Sequence, residues 1–69
     1  MEDKVKILAS LLTTLRLTNN LADLEDLELC RRFGDEFVIA TFISGYQKEI
    51  NVTFDSGTAM IKDIMKALA

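Results

Sequence analysis

The sequence predicts one α+β domain over residues 1–69, ordered α-β-β-β-α, a three-stranded antiparallel meander with two helices packed on one face. Three observations carry this. Residues 3–17 repeat apolar side chains at helical spacing. Residues 26–54 hold three strand-like runs separated by Gly-containing turns. Residues 55–58 are a helix-start cluster followed by a second apolar stripe.

In the first helix, Val5, Leu8, Leu12 and Leu15 fall three or four residues apart, and Ile7, Ala9 and Leu11 widen the stripe. So wide an arc asks for burial on more than one side. The sheet and a neighbouring helix take most of it, and Leu11 is expected to reach a second subunit. Asn19-Asn20 ends the helix, because Asn tolerates the left-handed conformation of a C-terminal cap.

Residues 21–25 form an irregular lead-in or a short helical turn. Leu21, Leu24 and Leu27 recur every third residue as in a helix, whereas Leu27-Glu28-Leu29 alternate like a strand. Gly34-Asp35 reads as a two-residue hairpin turn, which makes 26–33 a strand. Residues 36–43 are the clearest strand, rich in β-branched and aromatic side chains. Ser44-Gly45-Tyr46 is the second turn. Residues 48–54 alternate Ile50, Val52 and Phe54 against Glu49, Asn51 and Thr53, as a half-exposed edge strand does. Asp55, Ser56 or Thr58 would cap the closing helix, 57–68. Met60, Ile61, Ile64, Met65 and Leu68 make its apolar face, opposite Lys62, Asp63 and Lys66.

These turns pair residue 29 with 40 and 43 with 47. Leu27, Leu29, Val38, Ala40, Phe42, Ile50, Val52 and Phe54 then share the helix-bearing face. A two-residue second turn would instead flip the third strand. In either register the central strand is apolar on both sides. With both helices on one side, Phe37, Ile39 and Ile43 are left uncovered, partly shielded by Arg32 and Tyr46. An uncovered apolar patch commonly marks an interface. The expected interface residues are Phe37, Ile39, Ile43, Tyr46 and Leu11.

The composition removes many chemistries. The single Cys30 excludes an internal disulfide. With no His there is no His-based zinc site and no Ser-His or Cys-His pair. Gly34, Gly45 and Gly57 are turn residues rather than a phosphate loop, and no run has calcium-loop spacing. Asp23, Glu25, Asp26 and Glu28 read as a solvated acidic edge rather than an acid–base pair. Cys30 reads as an inert thiol despite Arg31 and Arg32 beside it. No enzymatic activity, cofactor, metal or small-molecule substrate is expected.

The net charge of −3 argues against nucleic acid as the main partner. The acidity concentrates in residues 21–36, where six acids face only Arg31 and Arg32. Met1 is followed by acids and no apolar run approaches a membrane span, so neither a signal peptide nor a membrane anchor is expected. A lone Cys fits the cytoplasm.

The α-β-β-β-α order resembles that of the double-stranded-RNA-binding domain. That family carries a lysine cluster at the start of its last helix. The matching stretch, Ser56 to Lys62, holds Lys62 alone, so the likeness is one of topology. The segment Ile50-Asn51-Val52-Thr53-Phe54-Asp55-Ser56-Gly57-Thr58-Ala59-Met60-Ile61-Lys62-Asp63-Ile64 resembles the C-terminal part of small uncharacterised proteins encoded by phages and prophages of Gram-positive bacteria. The overall plan also resembles small acidic phage inhibitors of nucleic-acid-handling host proteins. These resemblances imply an accessory protein that acts by binding. The leading expectation is a homodimeric protein–protein interaction module. The alternative is a nucleic-acid-associated module using Lys4, Lys6, Lys62 and Lys66, or an inhibitor of a nucleic-acid-handling protein.

Overall fold

A computed structural model describes residues 4–18 and 21–68. It has the expected order: α1 (Lys4–Thr18), β1 (Leu24–Arg32), β2 (Asp35–Phe42), β3 (Gln47–Asn51) and α2 (Gly57–Leu68). The strands form one antiparallel sheet in the order β1-β2-β3. The Asn19-Asn20 helix end lies outside the described residues.

The buried seam of α1 is Leu8, Leu11 and Leu15, with Ile7 and Leu12 half-buried beside it. Lys4 occupies the next position up this seam. The seam is therefore rotated from the one expected, and Val5 is exposed. Leu11, expected at an interface, sits in the core at 7% exposure.

Strand β1 begins at Leu24, earlier than expected. Its register with β2 slips between Leu24 and Asp26. A bulge there inserts one extra residue. Leu24 and Leu27, three apart, thereby both enter the core at 0% and 7% exposure. The helix-like spacing of these leucines is thus the signature of a bulged strand.

Both turns sit one residue earlier than the sequence suggested. Arg32 pairs with Asp35, so the first turn is Phe33-Gly34, with φ of 51° and 84°. Positive φ at both central residues is the type I′ pattern, which matches strand twist, and it puts Gly at the second position rather than the first. The second loop is Ile43-Ser44-Gly45. It is closed by Phe42 N–H donating to Tyr46 O at 2.9 Å, with Gly45 at φ 93°. Each displacement moves a pairing by two residues, so side chains keep their faces. Leu29 meets Val38, and Val38 meets Ile50.

Strand β3 ends at Asn51, not at 54. The Asn51 carboxamide oxygen accepts from Thr53 N–H at 3.0 Å and from Thr53 Oγ1 at 2.7 Å. This side-chain turn breaks the alternation. Val52 is still buried, but Phe54 is 99% exposed rather than in the core. Ser56 is the cap of α2: its hydroxyl accepts from Ala59 N–H at 3.2 Å.

The core lies between the sheet and both helices. Leu8, Leu15, Leu24, Val38, Val52, Met60 and Ile64 are its largest fully buried side chains. Helix α1 crosses β1, and α2 packs against β3 and α1. Lys48, on the helix side of β3, donates from Nζ to Ala67 O at 2.8 Å. A cation there meets the negative end of the α2 dipole.

Candidate interaction surface: the open sheet face

With both helices on one side, the other side of the sheet is built from alternate residues of each strand. Across it run the rows Glu28–Ile39–Glu49 and Cys30–Phe37–Asn51. Phe37 and Ile39 lie half-buried at its centre. Ile43, at the hairpin end of the same alternation, is 67% exposed.

The frame around this apolar centre is acidic. Asp26, Glu28 and Glu49 are all exposed. Arg32 lies 5.7 Å over the Phe37 ring and reaches Glu49 at 3.4 Å. Its guanidinium covers one end of the patch, as a cation over a ring face does. Half-buried Cys30 places Sγ 3.9 Å from Glu28 Oε1.

Three of the five expected interface residues therefore share this surface: Phe37, Ile39 and Ile43. Tyr46 does not. Its ring stacks against Phe42 at 5.7 Å between centroids, and Phe42 packs on the core under the helices. Tyr46 therefore shields the other face of the sheet. Leu11 is inside.

The densest polar cluster lies on the helix side. Lys4 Nζ reaches Glu36 Oε1 at 2.6 Å and Val52 O at 3.1 Å, and Arg31 Nε meets Glu36 Oε2 at 2.9 Å. Glu36 N–H donates to Thr53 Oγ1 at 3.0 Å. Hydrogen bonds from Lys4 and then Arg31 hold the Glu36 carboxyl below its usual range. This ties α1, β1, β2 and the end of β3 together. It also engages Lys4, one of the four lysines that direct nucleic-acid contact would need.

A second acidic spot lies at the start of α2. Asp55 Oδ2 is buried with no donor among the described groups. Asp63 faces it and, with burial, raises its pKa. The pair has no third acid or thiol to complete a metal site among the described residues. No helix among them is long and apolar enough to cross a membrane.

Sequence reasoning missed the free edge of β1. The signal was present as the order of charge along it: Glu25, Asp26 and Glu28 first, Arg31 and Arg32 last. No protein-family model, curated protein or solved structure matches the chain.

Proposed function

We propose that this chain is a small non-enzymatic protein-interaction module, and that its open sheet face is the binding surface. The observation carrying this reading is the apolar set on the side away from the helices, Phe37 and Ile39 on the central strand with exposed Ile43 in the loop that follows it. Apolar area on a chain of 69 residues is scarce, and here part of it is withheld from the core. An apolar centre with charged rim suits protein recognition. The acids Asp26, Glu28 and Glu49 select a partner whose rim carries Lys or Arg, and they disfavour phosphates. They also oppose a face-to-face copy of the same chain. An accessory role of phage or prophage type and action in the cytoplasm fit this reading.

A photoreactive residue at position 39, with position 62 as control, tests it in cells. Covalent capture of a protein from position 39 alone is the expected result. Capture of nucleic acid would favour the alternative module, and no specific adduct would overturn the reading.

A further inference from the structure

The sheet has two edges, and they are unlike. Strand β3 is short, only Gln47–Asn51, and Lys48 beside it is tied to the end of α2. Strand β1 is long, Leu24–Arg32, and among the described residues β2 is its only neighbour in the sheet. Native sheets normally protect such an edge with a bulge, a Pro, a charge or a covering element. Here the bulge at Glu25 disrupts one end and leaves 26–32 regular.

The orientation of the free backbone groups follows from the hairpin. Arg32 and Asp35 close its two-residue turn, so Arg32, Cys30 and Glu28 direct N–H and C=O groups toward β2. The phase agrees on the far side of β2. There Glu36 O accepts from Val52 N–H, and Phe42 N–H donates to Tyr46 O, both toward β3. Leu27, Leu29 and Arg31 therefore direct their backbone groups outward. Beside them an open groove of about 290 Å³ runs along the edge under α1, lined by Val5, Leu8, Asp26, Leu27, Glu28 and Leu29. Val5 stands 60% exposed on its wall.

The charges along 26–32 say what fits this edge. The strand is acidic at Asp26 and Glu28 and basic at Arg31 and Arg32. An antiparallel second copy meets it with the order reversed, acid to base. The centre of the regular stretch is Leu29. A two-fold axis there sets Leu29 opposite the partner's Leu29, and Leu27 opposite the partner's Arg31. Both are positions whose backbone groups already point outward. Asp26 then lies across from the partner's Arg32, twice by symmetry, and Glu28 across from the partner's Cys30. Opposite charges directly across strands stabilise the pairing. No strand is shifted and no side chain changes face.

We propose that two copies of this chain join through antiparallel pairing of β1 with β1 about Leu29. The product is a six-stranded sheet with all four helices on one side and two open faces abreast on the other. This isologous contact closes on itself and cannot grow. It deepens the interaction-module reading, on which it rests, by assigning self-association to the edge and leaving the open face for a different partner.

Sedimentation equilibrium of the full chain tests it. The wild type forms a dimer. Asp26→Arg and Arg32→Asp each place like charges across the contact and weaken dimerisation by about tenfold or more. The double variant restores the wild-type value to within about threefold, because the swapped pair regains its complement. Glu28→Cys yields a covalent dimer under mild oxidation, since the new thiol faces the partner's Cys30, whereas the wild type does not. Circular dichroism confirms that each variant folds. A wild type that stays monomeric at high concentration overturns this proposal, as does a dimer indifferent to the charge swaps. A dimer lost on Ile39→Thr but retained in the charge variants places the contact on the open face and also overturns it. Adducts from position 39 to another protein in a monomeric chain would leave the module reading standing while this inference falls.

Discussion

Val38 and Ile39 are neighbours on the central strand with similar side chains, yet they live in different surroundings. Val38 is fully buried beneath the helices, and Ile39 lies half-exposed on the open face. The ion pairs divide the same way. Lys4–Glu36, on the helix side, is close at 2.6 Å with side chains 14% and 18% exposed. Arg32–Glu49, on the open side, is 3.4 Å long with side chains 59% and 50% exposed. The strand supplies apolar residues in both directions, and the helices use only one. Stability thus rests on one face of the sheet, and the proposed binding is assigned to the other. A substitution should report on one or the other.

The largest effect belongs to the covered face. Leu15→Ala removes a side chain that is 1% exposed at the core. Such truncations cost about 2–5 kcal/mol. A core of this size supplies only about 3–5 kcal/mol in total. Urea denaturation should find the variant largely unfolded at ambient temperature. A stable, cooperative Leu15→Ala would mean that the helices are not what holds the sheet.

On the open face, Ile39→Thr keeps a β-branched residue in the strand. It should change stability by less than about 1 kcal/mol, as surface substitutions do. An environment-sensitive apolar dye should bind the wild type and lose most of its signal with this variant. Unchanged dye binding would locate the accessible apolar surface elsewhere. Glu49→Gln should be close to neutral for stability, because exposed ion pairs contribute little. It should still loosen Arg32 from over Phe37 and raise dye binding slightly.

Much of this division was legible in the sequence. Alternation along 36–43 gave the doubly apolar strand, and the faces survived although both turns were placed one residue late. The reason is parity. Moving a turn by one residue changes a pairing by two and leaves every side chain on its side. Other features depend on local geometry that alternation does not encode. The bulge at Glu25 lets Leu24 and Leu27 share a face, and the Asn51 turn expels Phe54. Phe33, fully exposed at φ 51°, is not a residue that turn chemistry selects. Of the expected interface, Phe37, Ile39 and Ile43 were readable from strand phase. Tyr46 was misplaced because the second turn, one residue earlier than expected, sets it directly across from Phe42. Leu11 was misplaced because Lys4 takes a seam position that an apolar residue was expected to fill.

The smallest effects are electrostatic, and they run in opposite directions with pH. Glu36 has a depressed carboxyl pKa, so its contribution to stability is present above the ordinary value of 4.5. It is lost as pH falls through the lower folded value. Asp55 is raised above 3.8 by Asp63, so the folded chain holds its proton more tightly than the unfolded chain. Its contribution is unfavourable at neutral pH and is relieved as pH falls through the raised value toward 3.8. Asp63→Asn removes the first cause of that shift. Urea denaturation across pH should show the variant slightly more stable than wild type at neutral pH, with the gap closing under mild acid. Glu36→Gln should behave oppositely, less stable at neutral pH and flatter on the acid side. An Asp63→Asn variant weaker than wild type at neutral pH would mean that Asp63 holds Asp55 in place rather than opposing its charge. It would move the pair from a local cost at the start of α2 to part of what fixes that helix on the covered face.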